Sequence, residues 1–153
     1  MANTYTKIYL QLIFAVKNRQ SLITETHRQR IEKYICGIAQ TRNCIPFSIY
    51  CNPDHTHFLL CIPPQKNIAD IVRDIKSFSS HFINENKLTR GHFQWQTGYA
   101  AFSYGRSQIE QVCKYIENQT IHHQKKLFRD EYLALLKAFE IEYNEKYVFD
   151  WLT

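Results

Sequence analysis

Residues 52–63, Asn-Pro-Asp-His-Thr-His-Phe-Leu-Leu-Cys-Ile-Pro, constrain this chain more than any other stretch. Turn residues open an apolar run of strand length, and Pro63-Pro64 closes it. A strand repeats its side-chain direction every two residues, so His55 and His57 leave the sheet on the same face, spaced to chelate. Thr56, Phe58, Leu60 and Ile62 point the other way and read as a core-facing row, which leaves the histidine face open to water. Taken alone, two histidines at a strand start are equally the polar residues of a solvated face.

The flanking patterns place this strand in a fold. Residues 5–16 are rich in branched and aromatic side chains and read as a long, central first strand. Ile31, Tyr34, Ile35 and Ile38 recur at helical spacing over 24–41, and residues 44–51 read as a second strand with Pro46 near its start or at an edge. Asn52-Pro53-Asp54 joins it to the histidine strand as a hairpin. Asn67 caps a second helix with Ile68, Ile71, Val72, Ile75, Phe78 and Phe82 on one side. An ordered loop over 86–98 and a short strand over 99–104 come next. Strand, helix, strand, strand, helix, strand is a split βαβ, ferredoxin-like α+β arrangement: an antiparallel sheet with two helices on one face and the other face open. A third helix over 106–126 and an amphipathic C-terminal helix with Phe128, Tyr132, Leu135, Leu136 and Phe139 remain, and the tail 141–151 is aromatic enough to dock. The 153 residues fit a single domain, with 1–126 as its core and 127–153 as C-terminal helix and tail.

A hydrophobic share of 44% and only four Gly and four Pro exclude a disordered chain. The net charge of +5 leans towards anionic partners, but the basic residues are spread and do not by themselves mark a nucleic-acid binder. Five cysteines, an odd number without a C-x-x-C pair, point to reduced thiols in the cytoplasm. No leader pattern and no apolar run near the roughly 18 residues of a membrane span is visible, so a soluble protein is expected.

On the third helix Ile109, Val112, Cys113, Ile116 and Thr120 form the stripe expected to be buried. Tyr115 lies roughly 120° aside in a polar seam with Gln108, Gln111, Gln119, His122 and Lys126, and Gln119 sits one turn above it. On the helix alone Tyr115 reads as a half-packed, half-wet boundary tyrosine, as most helical tyrosines are. The polar side of the second helix, Arg73, Lys76, Ser77 and Ser80, suits either phosphates or plain solvation. A zinc site from Cys51, His55, His57 and Cys61 fails on distance: at roughly 3.3 Å per residue His57 and Cys61 stand about 13 Å apart, too far for one ion.

Three blocks in this order and spacing resemble the HUH single-tyrosine transposases, the insertion-sequence and REP-associated tyrosine transposase family. They are Asn52-Pro53-Asp54-His55-Thr56-His57 with its apolar run, Phe93-Gln94-Trp95-Gln96-Thr97-Gly98-Tyr99-Ala100-Ala101-Phe102-Ser103, and Tyr115-Ile116-Glu117-Asn118-Gln119 followed by His122-His123. The resemblance implies a DNA transposase with the nucleophile-bearing helix on the open sheet face. It makes His55, His57 and Gln119 ligands of Mg²⁺ or Mn²⁺ and Tyr115 the nucleophile that attacks single-stranded DNA. Thr56 departs from the bulky apolar residue usual between the histidines, and Asp54 stands where Asn or a small turn residue is common and is placed to contact the metal or a ligand histidine. The family also implies a homodimer acting on element ends that can form hairpins.

These residue types suit that chemistry. A phenol with a pKa of about 10 is a weak nucleophile and a phosphodiester repels attack, so a Lewis acid on the phosphate is needed. The expected product is a 5′-phosphotyrosine link and a free 3′-OH. Arg90, Arg106 and Lys126 are candidates to hold phosphates, and Phe93 and Trp95 either stack on unpaired bases or pack under the loop. A replication or conjugation nickase would use the same metal and tyrosine. A non-catalytic ferredoxin-like nucleic-acid module is the other class, although the Arg/Lys-Gly-Phe setting of its RNA-binding versions is absent. His81, His92, His122 and His123 have no assigned role.

Overall fold

The computed structural model describes residues 3–121 and 127–148. Four antiparallel strands, β1 (Ile8–Ala15), β2 (Ile45–Cys51), β3 (His55–Ile62) and β4 (Ala100–Tyr104), lie in the order β2-β3-β1-β4. β1 is central, as its apolar run requires, and the β2–β3 hairpin turns on residues 52–54. Helices α1 (Glu25–Thr41) and α2 (Ile68–Glu85) pack on one face through Leu10, Leu12, Phe14, Phe58, Leu60 and Ile62, completing the expected split βαβ unit. The Asn67 side chain accepts the Ala69 amide and starts α2, while Asn43, at φ 63°, supplies the left-handed residue that ends α1.

The opposite face is covered as well. Helix α3 (Ile109–Glu117) lies over Tyr9, Leu59 and Cys61, and α4 (Phe128–Ala138) over Ile13, Ala15, Ala100 and Phe102; the four-residue α5 (Glu145–Val148) comes after it. All eight residues of β3 are therefore buried, and the histidine face expected to be wet is dry: His55 is 1% exposed and His57 0%. Two helices roof that face, each packing on its own part of the sheet.

The third helix is shorter than its periodicity suggests. A single 3₁₀ turn over Arg106–Gln108 leads into α3, which ends at Asn118; residues 119–121 resume helical geometry and 122–126 lie outside the described residues. The break rotates the next turn, so Thr120, expected in the buried stripe, is exposed while Gln119 is buried. Ile109, Val112 and Ile116 keep their place, each contributing about 2 kcal/mol by burial. On α2 the apolar stripe is also narrower than the pattern, with Phe78 46% exposed under the Arg42 guanidinium.

Residues 93–96 extend the sheet past β1. The Gln96 amide donates to Ala15 O, the Lys17 amide donates to Gln94 O, and Val16 and Trp95 form a bridge. Asn84 of α2 grips Phe93 on both sides, accepting from its amide and donating to its carbonyl. Among the described residues no helix is long and apolar enough to cross a membrane, and all five cysteines are free thiols.

Candidate functional site

The odd-numbered residues of β1 and β3 face α3 and α4, which puts Gln11, His55 and His57 on one patch of sheet. His55 Nδ1 stands 2.7 Å from Asp54 Oδ1, and His57 Nδ1 stands 2.7 Å from Gln11 Oε1. The Gln11 amide is oriented by its other end, whose Nε2 donates to the Tyr104 hydroxyl at 2.8 Å. An amide or carboxylate oxygen only accepts, so both Nδ1 atoms carry a proton, and the two Nε2 atoms are left to meet Asn52 and Glu131. This is how ligand histidines are held, by a neighbouring oxygen that fixes tautomer and ring. Burial pushes the Asp54 carboxyl up, but the hydrogen bond to His55 and the Arg19 guanidinium, 3.3 Å away, outweigh it and hold it below the usual range. Arg19 returns to Asp54 because Asn18 and Arg19 take left-handed φ values of 58° and 53° directly after β1.

Glu131 of α4 closes the patch. Its Oε1 lies 3.1 Å from His57 Nε2 and 3.8 Å from His55 Nε2, and the carboxylate is buried. A carboxylate oxygen beside two imidazole nitrogens is held there by a proton on the nitrogen, as an ion pair, or by a metal cation among the three groups. Donors bound at about 2.1–2.2 Å to one ion are about 3.0–3.5 Å apart, close to the spacing here. His55, His57 and Glu131 thus form a buried group whose ligand atoms all lie within 4.8 Å and which could bind a metal ion, the one group of three such residues among those described.

Tyr115 and Gln119 meet this patch from α3 and the turn after it. The Tyr115 ring is 5.8 Å from the His57 ring, edge-on, and lines a cleft of about 490 Å³ between α3 and α4 with Gln11, Tyr104 and Glu131. Gln119 is fully buried: its Oε1 accepts from Asn52 Nδ2 at 3.1 Å and its Nε2 donates to Tyr115 O at 3.3 Å. The same Asn52 Nδ2 is 3.1 Å from His55 Nε2, so one amide group separates Gln119 from the histidines. The Phe128 ring stacks on His55 at 3.6 Å, with the Arg19 guanidinium 5.2 Å from that ring.

A strut behind the site fixes the turn that carries Gln119. The Tyr50 hydroxyl and Thr120 Oγ1 are 2.6 Å apart, and the Arg28 guanidinium lies 4.4 Å from the Tyr50 ring. Arg28 forks onto Glu25 and Glu32, and Glu32 accepts the Cys51 amide at 2.9 Å. Burial raises the Glu32 carboxyl above its ordinary pKa, against the lowering effect of the Cys51 amide and Arg28.

The structure therefore gathers His55, His57, Tyr115 and Gln119 around one buried patch of the sheet, with Tyr115 also lining the cleft. Arg90 and Arg106 are exposed and Lys126 lies outside the described residues. Trp95 is 7% exposed, with its Nε1 donating to Ser79 Oγ and its ring against Phe14 and Phe93, itself fully buried; both loop aromatics pack in the core instead of facing solvent. Three site residues escaped the sequence reading: Gln11, Asn52 and Glu131. Gln11 interrupts an apolar strand and Glu131 lies inside the stripe of Phe128, Tyr132 and Leu135, a misfit that was the available signal. Asn52 had none beyond turn chemistry.

Residues 4–119 match a family model described as IS200-like transposase. The chain is 28% identical over 114 residues, 71% of its length and 81% of the relative's, to the ISDra2 transposase TnpA of Deinococcus radiodurans. Among solved structures it resembles a protein described as a transposase from Deinococcus radiodurans (TM-score 0.62, 23% identity, 78% of this chain and 95% of that one). It also resembles a REP-associated tyrosine transposase bound to a REP hairpin (TM-score 0.60, 17% identity, 80% of this chain and 73% of that one).

Proposed function

Because the chain belongs to the IS200-like transposase family, we propose that it cleaves and rejoins single-stranded DNA through attack of Tyr115 on a phosphodiester at the His55/His57 pocket. One observation carries this reading: α3 and β3 bring a cleft-lining tyrosine beside a histidine pair whose Nε2 atoms converge. The Tyr115 oxygen bonds to phosphorus, the P–O3′ bond breaks, the phenolic proton leaves, and the released 3′ oxygen takes up a proton. Attack by another 3′-OH runs the step backwards and joins strands without ATP, since one phosphoester replaces another.

His55 and His57 hold the ion, with Glu131 offering the third donor in this arrangement and Gln119, the third ligand implied by the resemblance, one amide group away. A divalent ion held by these residues would supply Lewis-acid stabilisation of charge on the phosphate. The mixed nitrogen and oxygen set suits Mn²⁺ or Mg²⁺, and the imidazole pair favours Mn²⁺. Asp54 and Gln11 keep the two rings in the tautomer that binds. Burial of both imidazoles under α3 and α4 strengthens their electrostatic contacts, while the cleft beside Tyr115 stays open.

Arg90 and Arg106, both exposed, serve as phosphate contacts along the strand, with Lys126 as a third. The DNA is the element's own ends, folded into hairpins. A homodimer is part of this reading. In the resembling family the tyrosine helix can serve the partner's metal site, so the two sites of such a dimer can be composite. A monomer that formed the DNA adduct at full rate would remove the dimer from the account.

The test is covalent trapping: protein, labelled single-stranded DNA from the flanks of its gene, Mn²⁺ or Mg²⁺, and denaturing electrophoresis. A metal-dependent protein–DNA band that Tyr115→Phe and His57→Ala both abolish supports the proposal. A band that persists in Tyr115→Phe sinks it.

A further inference from the structure

On the far side of the 94–99 segment from the histidine pocket lies a groove of about 430 Å³, walled by the polar face of α2. Arg73, Lys76, Ser77 and Ser80 line one side, Gln94 and residues 96–99 the other, and no carboxylate is among the lining residues. Its cations are placed differently from ordinary surface charges. Lys76 is half-buried, and its ammonium donates to the carbonyls of Gln96 (2.7 Å) and Gly98. Among the described residues it forms no ion pair, so its charge meets only neutral oxygens. Burial lowers its pKa to about 8. Arg73 is exposed and held by Asp70 and Asp74, neither of which lines the groove.

Tyr99 supplies the second chemistry. It is 39% exposed and follows Gly98, whose φ of 93° only glycine adopts without strain. The Lys76 bonds pin the backbone on which this ring is presented. Residues 96–99 also line a second cavity, of about 200 Å³, that reaches two neighbours of His55: Ala15, its register partner, and Phe128, which stacks on it. Residues 96–99 line both this cavity and the α2 groove, so a strand crossing them from the one would enter the other.

We propose that this groove is a second DNA subsite, holding the flank of the single strand next to the scissile bond, with Lys76 and Arg73 on a phosphate and Tyr99 stacked on an unpaired base. It rests on the transposase reading above and goes beyond it by assigning the polar face of α2. A cation is excluded by the absence of acidic ligands, and an apolar partner by the hydroxyls, amides and charges. Stacking with phosphate contact is how unpaired strands are held without sequence preference.

The test is fluorescence anisotropy with labelled oligo-dT of about 6, 12 and 18 nucleotides, spanning the site sizes of single-strand grooves. The proteins are wild type, Arg73→Ala, Tyr99→Ala and the double variant; both side chains are at the surface, and melting curves check that the fold is kept. Wild type should gain affinity with length. Each variant should lose about tenfold of that gain, and Arg73→Ala should flatten the salt dependence by about 0.7 in log–log slope, one phosphate on a single strand. If wild type gains with length and the variants gain equally, the groove proposal is overturned while the transposase reading stands. If wild type shows no gain with length, the groove is again overturned. If wild type binds no oligo-dT of any length, the groove is overturned as well, while the transposase reading is tested separately by covalent trapping on the element's own ends.

Discussion

Replacing Glu131 by Gln should have opposite effects without and with metal. Glu131 Oε1 stands 3.1 Å from His57 Nε2, and in the neutral, metal-binding form of the ring proposed above these are two acceptors facing one another once the metal is removed. An amide of the same shape can turn its NH₂ to that nitrogen and donate. One new buried hydrogen bond is worth about 1 kcal/mol, which for a chain of this size raises the melting temperature by about 2–4 °C. With Mn²⁺ at 100 times its Kd, binding stabilises the wild type by about 2.7 kcal/mol, or roughly 5–10 °C. His57→Ala should lose this increment outright, and Glu131→Gln most of it. Differential scanning fluorimetry in chelated buffer and in an Mn²⁺ series reads both signs. Gln119→Ala run alongside identifies the third ligand: if it abolishes the Mn²⁺ shift while Glu131→Gln keeps it, the ligand is Gln119. A Glu131→Gln protein that is less stable without metal and shifts fully with Mn²⁺ would refute the lone-pair argument, because a proton and not a metal would then bridge His57 and Glu131.

Three further outcomes concern the surroundings of the site. Tyr50→Phe removes only the hydroxyl bonded to Thr120 and should cost about 0.5–1.5 kcal/mol in urea unfolding; because it loosens the turn bearing Gln119, adduct formation should slow several-fold with DNA affinity retained. Glu32→Ala leaves the Cys51 amide without its acceptor and Arg28 with one partner fewer, and should cost about 2–4 kcal/mol by the same measurement, more than any change at exposed Glu110. The Lys76 pKa is lowered in the folded state from an ordinary 10.5 to about 8, so the folded protein binds fewer protons than the unfolded chain between those values. The cost of the buried charge is complete below pH 8 and fades as pH rises towards 10.5, so wild type should gain stability relative to Lys76→Met across that window in paired melts.

The fold was legible because its periods are simple. β1, β3 and α2 announce themselves by alternating or helical apolar runs, and the 52–54 turn fixes the hairpin that carries the histidines. The His-x-His pair and the Tyr115–Gln119 turn were readable by spacing and by resemblance, and the fold brings all four side chains together. What the pattern missed depends on tertiary packing. α4 roofs the histidine face, so a surface expected to be wet is dry and gains a carboxylate from a helix over 70 residues away in sequence. Periodicity also carried the third helix through Asn118, where the chain turns to bury Gln119 and to set Thr120 against Tyr50. Aromatic content in the 86–98 loop was equally consistent with base stacking and with packing, and Asn84 and Ser79 settle it by tying Phe93 and Trp95 into the core.

The central claim is that Tyr115 bonds to DNA. Tryptic digestion of the trapped adduct tests it most directly, because cleavage after Lys114 and Lys125 yields a peptide, 115–125, in which Tyr115 is the only tyrosine. The account predicts that mass spectrometry finds a 5′-phosphonucleotide on that peptide, at Tyr115, and that a free 3′-OH is left on the other DNA fragment. An adduct on another tyrosine, or strand cleavage with the phosphate left on the 3′ end, would contradict it.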